Sequence, residues 1–283
     1  MKRATVWLLA AFCLAGCAPF RAAASPGQVL SVALQATSGL KTAHADYTRA
    51  LTYDLPVDYP WPPATLGMPP HTLRLDLSGT GDVAFPDRFH YLVTDRMGPS
   101  FHFGGELISI KGVAYEQDGV HVDFGGTVMP TWSKRTSAQN WLPVDPFLTL
   151  QSLRDTLTPR DLGDTTLGGI RVHHYAIDMD KTNLIAKETS ALTDPSLRPA
   201  LEAAIQQGTL DVEVWIGLDD HLIRRISSDE TRRVTIALLN AEGNLAKQPG
   251  ASNQGMVTMS DQTVLNLNHF NSAVTITVPA NVR

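Results

Sequence analysis

Cysteine is scarce in this sequence. Of its 283 residues only Cys13 and Cys17 are cysteines, and both lie close to the first residue. The rest of the chain has no thiol that could form a disulfide or ligate a metal. A chain without such cross-links relies on its hydrophobic core, and this one is long enough to bury a core as a single domain.

Basic residues are also in deficit. Lys and Arg number 23 against 28 Asp and Glu, which gives a net charge of −5. Loss of Lys2 and Arg3 with a signal peptide would take the charge from −5 to −7. A surface of this sign lacks the basic footprint of a nucleic-acid-binding protein, so we predict no nucleic-acid partner. The sequence also lacks the polybasic patch with which proteins bind anionic lipid.

Long apolar runs are missing as well. After residue 15 no stretch reaches the roughly 18 consecutive apolar residues of a membrane-spanning helix. Residues 6–15 are apolar but too few to cross a bilayer, and they follow Lys2 and Arg3. This arrangement is typical of a signal peptide.

Residues 14–17 read Leu-Ala-Gly-Cys and match the lipobox, Leu-(Ala/Ser)-(Gly/Ala)-Cys. In a lipobox the cysteine thiol takes a diacylglyceryl group, and small residues before it fit the peptidase. We therefore predict a signal peptide over residues 1–16, a lipidated Cys17 and a tether over 17–26. An ordinary signal peptide, which also ends in small residues, is the alternative. Two acyl chains give stable attachment, so we expect an anchor on the extracytoplasmic face of the cell membrane, or on the outer membrane where there are two.

Alternating apolar residues predict about ten strands, and residues repeating every three or four positions predict about three helices. The helices are expected over 27–44, from Asp145-Pro146 to Leu157, and from Asp194-Pro195 to Gly208. The strands are expected at 47–55, 73–77 with a continuation at 82–85, 88–94, 106–111, 113–116, 120–124, 169–179, 209–217, 222–228, 232–239, 256–268 and 274–278.

Short turns between these strands favour an antiparallel sheet, and a sheet of this size tends to curl. We predict an α+β fold for residues 27–283. It would consist of one domain with a strongly curved antiparallel half-barrel and the helices on its concave side. Three helices would leave part of the apolar face as a cavity or groove.

The order of several short motifs resembles the LolA-like lipoprotein carriers, and more closely the LppX/LprG class of lipid-binding lipoproteins. The lipobox, tether and amphipathic helix come first, and residues 40–43 then lead into the first strand. The other motifs are residues 86–89, 211–217 followed by 219–226, and 270–276 ending at Pro279. The resemblance implies a bent half-barrel that encloses an apolar pocket for acyl chains. The proline-rich segment 55–70 is longer than the loop expected there.

No motif in the chain amounts to a catalytic site. His173 and His174 are adjacent on a predicted strand, so their side chains point to opposite faces and cannot share a metal without a bulge. Asp219-Asp220 reads as a turn, and Asp178-Met179-Asp180 as a solvated strand end. Residues 163–169 lack the Gly-Lys-Ser/Thr ending of a phosphate loop, and residues 78–81 lack a nucleophile elbow. We predict a protein that is not an enzyme and has no cofactor or metal.

Two features of the sequence suit ligand binding. Tyr59, Trp61 and Met68 lie on the proline-rich segment, where they either gate a pocket or fold back onto the sheet. The second feature is a set of apolar strand faces, which line either a cavity or a packed core. Its residues are Leu73, Leu75, Leu77, Phe89, Tyr91, Val93, Val212, Val214 and Ile216.

The leading hypothesis is a carrier that binds and moves or presents lipid, or a lipidated protein, by burying acyl chains. The second is a sensor or interaction module that recognises an envelope protein. The third is a hydrolase without a recognisable motif. Co-purifying lipid, a partner whose binding ignores lipid, and turnover of ester substrates would distinguish them.

Overall fold

The computed structural model describes residues 25–57, 59, 71–97, 101–118, 131–135, 145–153, 157–192, 194–241 and 255–282. The expected signal peptide, Cys17, Trp61, Met68 and the strand at 120–124 lie outside the described residues.

The described chain contains five α-helices and eleven strands. The helices are α1 (Pro26–Ser38), α2 (Pro146–Ser152), α3 (Lys181–Ala191), α4 (Arg198–Gln207) and α5 (Ile236–Ala241), with a 3-10 turn at Pro195–Leu197 before α4. The strands are β1 (Thr42–Asp54), β2 (Thr72–Ala84), β3 (Arg88–Met97), β4 (Phe101–Ile110), β5 (Val113–Asp118), β6 (Thr131–Arg135), β7 (Leu157–Leu167), β8 (Ile170–Met179), β9 (Thr209–Gly217), β10 (Ile223–Thr235) and β11 (Met256–Asn268).

All eleven strands belong to one sheet, in the order β6-β5-β4-β3-β2-β1-β11-β10-β9-β8-β7. Every neighbouring pair is antiparallel, which confirms the predicted strand direction. β1 and β11 pair at the centre, so the first and last of the described strands are neighbours.

The predicted strong curvature was wrong. The sheet is open, with β6 and β7 at its edges, and it is neither closed nor strongly curled. Apolar residues of five helices, rather than the expected three, join the core on one face of the sheet. Because these helices bury the apolar face, the sheet does not have to close on itself to remove that face from water.

We call this side of the sheet the core face. On β1 it carries Tyr47, Leu51 and Tyr53, and the cross-strand pairs continue it in both directions. The opposite, outer face has a small cluster of its own, in which Ile276 packs on Ala84 and Ile108. The strand predicted at 274–278 is absent from the sheet because this C-terminal segment lies against the outer face instead of pairing.

β2 runs without a break where the sequence suggested two pieces. Gly79 and Gly81 lie on its core face, and the Tyr47 ring of β1 covers Gly79, where an added Cβ would come 2.1 Å from Cε1. At Gly81 a Cβ would come 1.9 Å from the carbonyl oxygen of His90 on β3. The two glycines therefore allow close approach rather than a turn.

The apolar run near residue 236 was predicted to continue a strand, but it forms a helix. The predicted strands at 222–228 and 232–239 are one strand, β10, followed by the helix α5. The Thr235 hydroxyl accepts a hydrogen bond from the Leu238 N–H at 3.2 Å, which supports the first turn of that helix. A short apolar run fits a buried strand and a buried helix equally well.

Several helix ends also differ from prediction. α1 ends at Ser38, where the Gly39 N–H bonds to the Gln35 carbonyl at 3.0 Å, so residues 42–44 belong to β1. Asp145 caps α2, which begins at Pro146 as predicted but ends at Ser152. Leu157 begins the unpredicted edge strand β7. α4 and its 3-10 turn confirm the helix predicted over residues 194–208.

The hairpin predicted about Lys111-Gly112 is confirmed. β4 and β5 pair on either side of these two residues, whose φ angles are 53° and 75°. Two successive positive φ angles match the twist of the flanking strands in a two-residue hairpin.

Candidate ligand-binding site

The nine apolar residues predicted to bind ligand all lie on the core face and in one hydrophobic core. Val93 is half-buried and the other eight are buried. Those of β2 and β3 are on adjacent strands, whereas those of β9 lie beyond β1, β11 and β10. Four strand spacings separate β2 from β9, about 19 Å. The residues therefore belong to one packed core and do not converge on one point.

Sequence reasoning missed the charged side chains between these two apolar groups. Arg49 of β1 and Asp261 of β11 lie on the core face, where Nη2 of Arg49 bonds to Oδ2 of Asp261 at 2.6 Å. Nε of Arg49 also bonds to both carboxylate oxygens at 3.0 Å. Side chains two residues apart on a strand share a face. Because Tyr47 and Leu51 lie on either side of Arg49 at that spacing, the sequence could have placed Arg49 on the core face.

A second ion pair connects the sheet to α3. Nη1 and Nη2 of Arg232, on β10, bond to the two oxygens of Glu188 at 2.6 and 2.9 Å. Nε of Arg232 bonds to Glu230 on the same strand. Arg232 is 9% exposed, and a buried guanidinium requires such partners. We call Arg49, Glu188, Glu230, Arg232 and Asp261 the charged band.

Burial sets the protonation of the charged band. It raises the pKa of Glu230 to about 7, against the lowering effect of Arg232, and the charges of Glu188 and Asp261 add to the rise. Burial alone would lower the pKa of Arg232, but the hydrogen bond to Glu188 and the charges of Glu230 and Glu188 raise it. The guanidinium therefore stays charged, while Glu230 titrates near neutrality.

A groove opens between α1 and the end of α2. It has a volume of about 590 Å³, and Leu30, Leu34 and Leu153 line it together with the polar side chains Ser31 and Gln35 of α1. The three leucines are buried and belong to the same core as the predicted ligand-binding residues. The floor of this α1 groove is therefore continuous with the apolar core.

Two further cavities flank the sheet. One, of about 240 Å³, lies beside α3 and α4 and is lined by Leu184, Ile205, Glu230 and Arg232 among others. The other, of about 480 Å³, lies mainly on the outer face, and its lining includes Val212. Val212 is the one predicted binding residue that lines any of these three cavities among the described residues.

The two adjacent histidines point to opposite faces, as predicted. Nε2 of His173 bonds to Asp161 at 2.7 Å, whereas His174 bonds to Glu213 at 3.2 Å and stacks on Trp215. Within the described ranges no group of three or more His, Cys, Asp or Glu side chains is arranged to hold a metal ion.

The two acidic motifs have structural roles. Asp220 lies in the predicted turn between β9 and β10, where its side chain accepts from the Leu222 N–H at 3.1 Å. Asp180 caps α3, a helix that was not predicted, by accepting from the N–H groups of Thr182 and Asn183. An aspartate at this position is a common helix N-cap, and this signal could have located α3 in the sequence.

Tyr59 is 5% exposed and packs in the core. Of the two roles predicted for it, gating a pocket or folding back onto the sheet, the structure shows the second. As for the membrane, none of the helices in the described part of the chain is long and apolar enough to span one.

The structure is similar to solved lipoproteins over most of its length. The crystal structure of lipoprotein LppX from Mycobacterium tuberculosis matches 89% of this chain and 100% of that chain, with 16% identity and a TM-score of 0.43. LprF from Mycobacterium bovis matches 89% of this chain and 96% of its own, with 15% identity and a TM-score of 0.41.

A LolA superfamily protein from Nitrosomonas europaea matches 89% of this chain and 96% of its own, with 10% identity and a TM-score of 0.25. No protein-family model matches the sequence, and neither does any curated protein. The resemblance noted in the sequence is thus confirmed as structural similarity to LppX, LprF and LolA-superfamily lipoproteins at low sequence identity.

Proposed function

We propose that this chain is a cell-envelope lipoprotein that is anchored through Cys17 and binds acyl chains of a lipid or lipidated protein. The α1 groove is the observation that carries the proposal. Its volume of about 590 Å³ lies within the roughly 300–1,000 Å³ of ligand pockets. Its floor consists of core leucines, and its rim is polar.

Burial of an acyl chain would supply the binding energy. Each buried CH₂ contributes about 0.8 kcal/mol, so a chain of a dozen or so methylenes has enough apolar surface for tight binding. Behind the groove lie the core side chains of β2, β3 and β9, between which an acyl chain would insert. An acyl chain that entered at Leu30 and Leu34 would displace little polar structure.

Binding without catalysis suits the chemistry of the core face. The charged side chains at its centre are engaged with one another, since Arg49 holds Asp261 and Arg232 holds Glu188. A guanidinium that carboxylates already engage is not free to hold the anionic group of a hydrolysable substrate. We therefore propose a carrier rather than a hydrolase.

Native mass spectrometry tests the proposal. The mature chain carrying Cys17→Ala, which lacks the anchor, should retain a bound mass in the lipid range that disappears on denaturation. The wild-type chain should fractionate with membranes, and Cys17→Ala should release it. A clean apo mass that persists after incubation with membrane lipids would contradict acyl binding, whatever the fractionation result.

A protein-binding role is the second candidate, and the outer face favours it. The outer groove of about 480 Å³ is lined by Asp178, Asp211, Glu213 and Asp229, with Arg160 as a cation beside them. An acidic groove suits a basic segment of an envelope protein. Binding of such a partner would be weakened by salt and indifferent to added lipid.

A further inference from the structure

Two buried tyrosines on the core face have hydroxyl groups without a hydrogen-bond partner. Tyr47 is 1% exposed and Tyr91 is fully buried, and no protein atom in the described part of the chain bonds to either hydroxyl. Their ring centroids are 5.2 Å apart. Buried hydroxyls are nearly always bonded, so an unpaired neighbouring couple calls for an explanation.

A carboxylate oxygen in the same region is also unpaired. Oδ1 of Asp95, on β3, is buried and has no hydrogen-bond partner among the residues that the structure describes. Its charge helps to raise the pKa of Tyr47, after the larger effect of burial, which indicates that the two side chains are close. We call Tyr47, Tyr91 and Asp95 the head-group cluster.

Two glycines flank this cluster on the core face. Tyr47 lies flat on Gly79, so its hydroxyl extends across β2 towards β3. The next residue across is Val93, which pairs with Gly79 on one side and with Gly105 of β4 on the other. The Tyr47 ring covers Gly79, whereas Val93 and Gly105 are half-buried, so the cluster lies next to an incompletely covered part of the core face.

The charges that act on the cluster are mainly those of carboxylates, although the charge of Arg49 lowers the pKa of Tyr47. Glu116 of β5 raises the pKa of Asp95 through its charge, in addition to burial. The nearest cation on the core face of β1 is Arg49, which both oxygens of Asp261 already engage. A phosphate or carboxylate would meet repulsion here, whereas a neutral O–H group could donate to Asp95.

We propose that the head-group cluster binds an uncharged, hydroxyl-bearing head group of the lipid whose acyl chains occupy the apolar core face. The head-group hydroxyl donates to Asp95 and exchanges hydrogen bonds with Tyr47 and Tyr91. This inference rests on the proposed carrier function and names the class of its ligand. An ordered water molecule that satisfies the same atoms is the competing explanation.

Three lipids with matched acyl chains test the inference. Dioleoylglycerol has one free hydroxyl, trioleoylglycerol has none, and dioleoylphosphatidic acid replaces the hydroxyl with a phosphate. Each would compete with a fluorescent fatty acid for the mature chain carrying Cys17→Ala. We expect dioleoylglycerol to bind at least about tenfold more tightly than the other two, since two or three hydrogen bonds favour it.

Variants assign that preference to the cluster. Tyr91→Phe and Asp95→Asn should each reduce dioleoylglycerol affinity about fivefold and leave trioleoylglycerol unchanged. Tyr175→Phe, which alters a buried tyrosine of β8 on the other half of the sheet, is the matched control and should change neither. Equal binding of all three lipids by every variant would overturn the inference but would remain consistent with the proposed carrier function. If none of the three lipids bound, the proposed carrier function would itself be wrong.

A stability measurement excludes the water explanation. If the Tyr91 hydroxyl is unpaired without ligand, Tyr91→Phe should be at least as stable as wild type in urea unfolding, because it removes an unsatisfied polar group. A clear loss of stability would mean that a bound water already satisfies the hydroxyl, and the inference would fail.

Discussion

Glu230 is the described residue whose environment most clearly couples charge to stability. In the unfolded chain a glutamate ionises near its ordinary pKa of 4.5, but burial raises the pKa of Glu230 to about 7 in the folded chain. Between these two values the folded state holds a proton that the unfolded state has lost. The contribution of Glu230 to stability is therefore full below pH 4.5 and is lost as the pH rises through 7.

Glu230→Gln should remove this part of the pH dependence. The free energy of unfolding of wild type is expected to fall by about 3 kcal/mol more than that of the variant between pH 4.5 and 8. Urea unfolding at several pH values measures the difference. Asp211→Asn, an exposed change on the neighbouring strand, is the control and should follow wild type. If the unfolding free energies of wild type and Glu230→Gln changed equally with pH, Glu230 would be ionised over the whole range.

Gly79 and Gly81 make different demands on their neighbours. A Cβ at Gly79 meets the Tyr47 ring, which can turn, whereas a Cβ at Gly81 meets the backbone of β3. Gly81→Ala should therefore lower the unfolding free energy more than Gly79→Ala, with losses of about 1–3 kcal/mol or more. Gly27→Ala, with open space around it in α1, should be neutral or slightly stabilising. Equal effects at Gly79 and Gly81 would contradict the close approach of β2 and β3.

At the scale of elements, Arg232 connects a helix to the sheet. α3 packs against α4, which lies on β10, and Glu188 is the side chain through which α3 holds Arg232. Two carboxylates, Glu188 and Glu230, share this one guanidinium. Loss of the arginine would leave both without their cation.

Arg232→Met should destabilise the chain by about 3 kcal/mol, because it leaves two half-buried carboxylates without their cation. Calorimetry or urea unfolding measures the loss. Arg74→Met, which breaks the exposed ion pair with Asp76, should change stability by less than about 1 kcal/mol. Similar losses for the two variants would show that the charged band is more hydrated than its burial indicates.

Strands whose apolar and polar residues alternate clearly were predictable from the sequence. Elements whose position depends on a single polar residue were not. The bounds of β9 and β11 agree with prediction because their apolar residues alternate between clear turns. α3 was missed because its apolar face is weak and its capping aspartate was taken for a strand end. The charged band was missed because each strand was assigned to a face by its apolar residues alone.

At the scale of the whole molecule, the core face combines an apolar surface with polar groups at two places. The charged band occupies the centre of the sheet, and the head-group cluster lies towards β3. The α1 groove opens to solvent between α1 and the end of α2, and its leucines belong to the same core. The predicted binding residues could be found from alternation, but the groove could not, since it depends on how α1 and α2 pack.

A direct measurement of the central claim is an acyl-chain titration of a chain whose α1 groove is filled. Ser31 is exposed and lines the groove, so Ser31→Trp should fill it without disturbing the core. Val32, the next residue, is 51% exposed and is not part of the lining, so Val32→Trp is the matched control. The account predicts that wild type and Val32→Trp bind a fluorescent fatty acid equally and that Ser31→Trp binds it at least about tenfold more weakly. Equal binding by all three chains, or no binding by wild type, would contradict it.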